Sequence, residues 1–170
     1  MTVPVRMVAV SAGESPGSKT LALVAPVVAE HGGEVIDLSQ LSAEGLLGRS
    51  EDAAVSRAVE VAANADVLIV ATPIYRATYT GALKAFFDRF APGALHGTTV
   101  VLVATAKIRE HYLALDTGGR ALIASLDGQT IPTVVYATGD DFVDGSPTAG
   151  ALDILRAAVS EAIRVARASV

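Results

Sequence analysis

Five short apolar runs, separated by longer segments of mixed character, are the main pattern along the chain. They lie at residues 5–10, 34–38, 66–71, 99–104 and 130–136. The run at 66–71 is an aspartate followed by five aliphatic residues, which is typical of a central strand buried on both faces. Pro132 cannot donate a ladder hydrogen bond, so it places the last run at a sheet edge. The pattern predicts five β-strands.

Between these runs, apolar residues recur every three to four positions, which is the period of one helix face. The recurrence predicts helices over residues 18–30, 54–62, 80–90, 110–125 and 151–166. Thr80 is a suitable N-cap for the third helix. Gly118 and Gly119 weaken the fourth.

Strands that alternate with helices predict a doubly wound α/β fold with a parallel sheet. The right-handed crossover rule and the chain length favour the flavodoxin-like strand order 2-1-3-4-5. No repeat or linker interrupts the pattern, so residues 1–170 are expected to form a single domain. Ligands of such sheets bind at the carboxyl ends of the strands beside the switch point, here the loops after strands one, three and four.

The amino-acid composition narrows the range of partners and reactions that are expected for this protein. The chain is 51% hydrophobic and 18% charged, so it can bury a large core, and its net charge of −5 offers no attraction to nucleic acid or to anionic lipid. We therefore expect neither as a partner, and the absence of a signal-peptide pattern favours the cytoplasm. With no cysteine and three isolated histidines, thiolate chemistry is excluded, no metal site is expected, and any redox reaction needs an organic cofactor.

The loop after the first strand is rich in hydroxyl groups and directly precedes a helix. Its candidate residues are Ser11, Ser15, Ser18, Lys19 and Thr20. Free N–H groups and the helix dipole favour a phosphate there, although a serine-rich capping loop without a ligand is the alternative. A nucleoside-triphosphate loop is rejected because Ser18 stands where its second glycine belongs.

The loop after the third strand holds Tyr75 and Tyr79, which suit a flat ring or another subunit, or else pack on their own helix. Residues 71–84 of this region read ATPIYRATYTGALK, followed by Phe87 and Asp88. This run resembles the second flavin loop of the NADPH-dependent FMN reductases, particularly the branch that supplies reduced flavin to alkanesulfonate monooxygenases. Residues 94–97 and 111–116 also resemble that branch, so the likeness extends over nearly the whole chain.

The resemblance implies a flavodoxin-like FMN-binding domain that transfers a hydride from NADPH, or from NADH, to FMN without a catalytic side chain. It places the FMN phosphate on Ser11, Ser18 and Thr20, with Lys19 adding charge. It places Pro73, Ile74, Tyr75 and Arg76 along the isoalloxazine, and Thr105, Ala106 and Lys107 at its pyrimidine end. The family's first loop carries an arginine where this chain has Gly13 and Glu14, and its third loop has two glycines where this chain has Ala106 and Lys107. Lys107 is either a solvated loop residue or a stabiliser of the reduced flavin.

The resemblance also implies a homodimer or homotetramer built on the third and fourth helices, with apolar area from residues 79–90, and delivery of reduced flavin to a monooxygenase. Three alternatives share the fold: a quinone or azo reductase, a flavodoxin-type electron carrier without enzymatic activity, and an interaction module without flavin. Electron carriers concentrate acidity around the flavin, whereas Arg76, Lys84 and Lys107 are expected near this site, which argues against that reading.

Overall fold

A five-stranded parallel sheet forms the centre of the computed structural model, which describes residues 4–168. Its strands are β1 (Met7–Ser11), β2 (Glu34–Asp37), β3 (Val67–Pro73), β4 (Thr99–Thr105) and β5 (Gln129–Ala137). Their order is β2-β1-β3-β4-β5, which confirms the predicted topology. The first three and the last two residues of the predicted domain lie outside the described residues.

Residues 4–168 contain six α-helices. They are α1 (Lys19–Glu30), α2 (Ala43–Leu46), α3 (Ala53–Ala63), α4 (Gly81–Phe87), α5 (Ala114–Ala124) and α6 (Ala149–Ala168). The helix α2 and a two-stranded antiparallel pair, β6 (Phe142–Val143) with β7 (Ser146–Pro147), were not predicted because each is too short to show a period. The helix α4 is shorter than the predicted 80–90, and α5 begins at Ala114 after a 3₁₀ turn at Arg109–His111.

Two apolar layers enclose the sheet. Leu23 of α1 and Leu155 of α6 are fully buried in one layer, and Phe86 of α4 and Ile123 of α5 are fully buried in the other. All residues of β1, β3 and β4 are buried. The sheet is therefore covered on both faces, and its carboxyl edge, from which the loops emerge, is the open side. Within residues 4–168, no helix is both long and apolar enough to span a membrane.

The strand β5 lies at the sheet edge, as Pro132 predicted. Its pairing register with β4 shifts between Val100 and Leu102, opposite the proline. Arg120 of α5 donates hydrogen bonds to the carbonyl oxygens of Ile131 (2.7 Å) and Pro132 (2.5 Å). A guanidinium thus supplies hydrogen-bond donors to two successive carbonyl groups at the irregular part of the ladder.

Two adjacent glycines let α5 approach its neighbours. A Cβ on Gly119 would lie 3.2 Å from Leu102 Cδ1 of β4, and a Cβ on Gly118 would lie 3.2 Å from the ring of Tyr79. Tyr79 is half-buried and packs on the core beside α5, not on its own helix as one alternative predicted. The two glycines therefore weaken the helix intrinsically but permit its close packing.

The apolar residues of the segment 79–90 face the protein's own core. Leu83, Phe86, Phe87 and Phe90 are buried, and Phe86 makes edge-to-face contacts with the other two rings. The exposed positions of α4 include Lys84, which forms an ion pair with Asp88, the residue that caps the C-terminus of this helix. The apolar area expected here for a subunit interface is thus already used within the domain.

Candidate functional site

A cleft of about 770 Å³ opens at the carboxyl edge of the sheet, where the loops after β1, β3 and β4 meet. Nine of the eleven predicted site residues line it: Ser18, Lys19, Thr20, Pro73, Ile74, Tyr75, Thr105, Ala106 and Lys107. Arg76 lies outside it and lines an adjoining pocket. Ser11 is fully buried and does not line the cleft. The fold thus brings together residues that are far apart in the sequence.

The first loop ends at the N-terminus of α1. The Ser18 hydroxyl caps this helix by accepting a hydrogen bond from the Leu21 N–H (3.2 Å). Helix geometry leaves the N–H groups of Lys19 and Thr20 without a partner inside the helix. These groups and the positive end of the helix dipole favour an anion at this corner of the cleft.

Two features beneath the first loop indicate that its backbone is shaped to receive a ligand. Ser11 Oγ is buried and has no hydrogen-bond partner among the described residues. Gly13 lies so close to Ser18 that a Cβ on it would stand 2.4 Å from Ser18 Cβ, and Ser11 Oγ is 3.9 Å from the same point. A buried hydroxyl without a partner costs free energy unless a ligand or a water satisfies it. The loop therefore fits a phosphate group.

A buried hydrogen bond joins the first and third loops under the cleft. Thr20 Oγ1 of α1 and Thr105 Oγ1 of β4 are 2.6 Å apart, and both residues are at most 6% exposed. The Thr105 carbonyl also accepts a hydrogen bond from the Ile74 N–H (2.8 Å). Thr105 thereby connects all three predicted loops and fixes their relative positions.

The second loop contains a strained turn. Tyr75 and Thr78 exchange two backbone hydrogen bonds, at 3.0 and 3.1 Å, around Arg76 and Ala77. The φ angles of these two residues are 52° and 61°, in the left-handed region that such a turn requires and that favours asparagine and glycine. The turn holds Tyr75, which is 48% exposed, at the cleft.

The third loop is held by the neighbouring strand β5. The Ala106 N–H donates to the Ala137 carbonyl (2.9 Å), and the Tyr136 hydroxyl donates to the Ile108 carbonyl (2.7 Å). Burial and, secondarily, the negative charge of Glu110 raise the pKa of Tyr136, so this phenol remains a donor at neutral pH. The alanine at position 106 therefore leaves the loop anchored to the sheet.

A fourth segment completes the cleft and was missed by the sequence analysis. Gly139 and Phe142 line it, and the Lys19 ammonium lies 5.1 Å from the centroid of the Phe142 ring. Asp141 accepts hydrogen bonds from both the N–H (2.7 Å) and the hydroxyl of Thr138. The spacing of Thr138 and Asp141 is that of a capping box, which could have indicated an ordered turn in this acidic stretch.

The corner of the cleft at Ser18, Lys19 and Thr20, called the phosphate corner below, lies in the same cleft as the exposed Tyr75. Together with the sheet order they define a class of protein: an α/β domain of flavodoxin-like architecture with a cleft for a phosphorylated flat ring. The family model for NADPH-dependent FMN reductases matches residues 5–142, and the chain belongs to this family.

Individual relatives support the same family assignment. An NADH-dependent FMN reductase (SfnF) of Pseudomonas fluorescens is 38% identical over 85% of this chain and 82% of its own length. An NADPH-dependent FMN reductase of Pseudomonas aeruginosa is also 38% identical, over 84% of this chain and 81% of its own. The apo form of the NADH:FMN oxidoreductase EMOB superposes with a TM-score of 0.80 at 34% identity, over 98% of this chain and 90% of that chain.

Proposed function

We propose that this protein is an NAD(P)H-dependent FMN reductase whose reaction takes place in the cleft at the carboxyl edge. The observation that supports this most is the convergence of the three loops on one cleft that contains the α1 N-terminus, with the unpartnered Ser11 hydroxyl buried beneath the first loop. When FMN is bound, its ring supplies the redox chemistry by accepting a hydride from the reduced nicotinamide.

The residues of the chain act by binding and orientation. The N–H groups of Lys19 and Thr20, together with the Ser18 hydroxyl, would hold the phosphate, and the buried Ser11 hydroxyl would support the loop from beneath. The backbone of residues 73–76 would lie along the ring, and Thr105 would position it by tying the loops together. Because hydride transfer requires correctly aligned rings rather than a proton donor, no side chain is assigned as acid, base or nucleophile.

Delivery of the reduced flavin to a monooxygenase is part of this proposal. The cleft is open to solvent, and Glu14, Tyr75 and Lys107 at its rim are exposed, so flavin can enter and leave without a large rearrangement. The open cleft therefore favours FMN as a substrate that dissociates after reduction over FMN as a permanently bound cofactor. Assembly into a homodimer or homotetramer, and residence in the cytoplasm, stay predictions.

The activity is tested by measuring NADPH and NADH oxidation by flavin-stripped protein over a series of FMN concentrations. We expect FMN-dependent turnover that saturates. Riboflavin, which has the same ring without the phosphate, should require a higher concentration for half-maximal rate. Tight FMN binding without dinucleotide oxidation would instead support a flavodoxin-type electron carrier, and failure to bind FMN would leave only the interaction module.

A further inference from the structure

A second pocket, of about 590 Å³, adjoins the flavin cleft on the side of the strained turn. The two spaces share the residues Glu14, Ile74, Tyr75, Ala106 and Lys107, so a molecule that reaches the flavin ring can extend from one into the other. The second pocket is lined in addition by Arg76, Ile108 and His111. It is an extension of the cleft that contains the additional positive charge of Arg76.

The charge of this second pocket is predominantly positive. Arg76 and Lys107 are exposed and have no ion pair or hydrogen bond within residues 4–168, unlike Lys84, whose ammonium pairs with Asp88. Among the described residues that line the pocket, Glu14 is the sole carboxylate. Two uncompensated cations on one concave surface favour a ligand that carries phosphate.

The backbone that presents Arg76 is itself unfavourable. Arg76 and the following Ala77 both occupy the left-handed region, where a residue with a Cβ is disfavoured by roughly 1–2 kcal/mol. Strain of this kind clusters at ligand-binding sites, where the surrounding structure holds it in place. Here it places the guanidinium of Arg76 on the same pocket as the ammonium of Lys107.

We propose that this second pocket binds the phosphate groups of the nicotinamide dinucleotide through the side chains of Arg76 and Lys107, and that Glu14 weakens this binding. The inference rests on the proposed reductase function, since it is this reaction that requires a dinucleotide beside the flavin. It assigns to Lys107 a role toward the dinucleotide instead of a role toward the reduced flavin.

The test compares FMN-loaded wild type with Arg76→Gln and Lys107→Gln. Arg167→Gln, in the last turn of α6 at the opposite end of the sheet, removes the same charge as a control. Binding of NADP⁺ and of NAD⁺ is measured by calorimetry, which requires no turnover. Rates are measured with NADPH and with N-benzyl-1,4-dihydronicotinamide, a hydride donor that has the reacting ring but no phosphate.

We expect each pocket variant to raise the Kd for NADP⁺ about tenfold, as loss of a charge-assisted hydrogen bond would. The ratio of kcat/KM for NADPH to that for the benzyl compound should fall by a similar factor, and the control should change neither. Equal losses for NAD⁺ and NADP⁺ would assign the contact to the diphosphate. A loss confined to NADP⁺ would assign it to the 2′-phosphate, and either result supports the proposal.

An unchanged Kd for both dinucleotides in both variants would overturn the proposal. So would equal losses of rate with NADPH and with the benzyl compound, because those would place the effect on the flavin. The variant Glu14→Gln, which removes the negative charge, should lower the Kd for NADP⁺ about two- to threefold. This change is opposite in direction to the rise expected for the Arg76 and Lys107 variants. Wild type that binds NADP⁺ but does not oxidise NADPH would contradict the reductase function and not the pocket assignment.

Discussion

At the scale of single residues, Gly13 decides the shape of the phosphate corner. The first loop passes so close to the start of α1 that even a methyl group at position 13 would overlap with Ser18, the helix cap. Gly17 lies in the same loop, and a Cβ there would meet nothing within 4 Å. The two glycines therefore provide a matched pair for testing the loop.

We expect Gly13→Ala to weaken FMN binding by about tenfold or more, because the loop must shift away from the N–H groups of α1. Gly17→Ala should bind FMN with an affinity close to that of wild type. Flavin fluorescence quenching measures both affinities, and circular dichroism checks that both variants fold. Equal affinities of the two variants would show that the loop does not contact the flavin.

Ala77 stores strain in the turn beside the cleft. We expect Ala77→Gly to raise the free energy of unfolding by roughly 0.5–1 kcal/mol, because glycine occupies the left-handed region without a Cβ penalty and this exceeds its extra entropy in the unfolded chain. Urea denaturation measures the change. A loss of stability would mean that the methyl group contributes more by packing than it costs in strain.

At the scale of elements, side chains hold the irregular parts of the sheet in place. Arg120 links α5 to the shifted stretch of β5, and its Nε also pairs with Asp116 one turn earlier (2.7 Å). Tyr136, near the end of β5, anchors the loop after β4. Each contact joins two elements, so its loss is expected to weaken the attachment between them.

Arg120→Ala should lower the free energy of unfolding by about 1–2 kcal/mol, since it removes the donors to the partly buried carbonyl of Ile131 and the exposed carbonyl of Pro132. Arg120→Lys keeps the charge, but one ammonium cannot reach the hydroxyl of Thr130 and two successive carbonyls together, so it should recover less than half of the loss. Thermal and urea unfolding of the three proteins make the comparison. Full recovery by lysine would show that charge alone matters.

Tyr136→Phe should lower the free energy of unfolding by ~0.5–1 kcal/mol at neutral pH through loss of the bond to Ile108. The pKa of Tyr136 is higher in the folded than in the unfolded chain, so its contribution is fully present below about pH 10 and is lost as the pH rises through the raised folded value. The difference in stability between wild type and Tyr136→Phe should therefore shrink above pH 10. Unfolding curves between pH 7 and 11 test this, and a constant difference would contradict it.

At the scale of the whole molecule, the cleft is assembled from four loops that the sheet holds together. A ligand that contacts several of them stabilises the folded state over the unfolded chain, which has no such site. FMN at about 100 times its Kd should therefore raise the free energy of unfolding by about 2.7 kcal/mol, with a corresponding rise in Tm. At the same concentration, riboflavin should raise Tm less, because it cannot use the phosphate corner. An equal rise with both would place the flavin elsewhere.

The sequence by itself determined the strands, most of the helices, the sheet order and the family, because five buried strands and the periodic helices between them permit few arrangements. It also indicated the three loops that meet at the cleft. Only the tertiary structure decided which side chains face that cleft. Tyr79 packs on Gly118 rather than at the cleft, Thr20 bonds Thr105, and Phe142 joins the site from a segment without any apolar period. Such contacts depend on distances between residues remote in sequence, which no local pattern encodes.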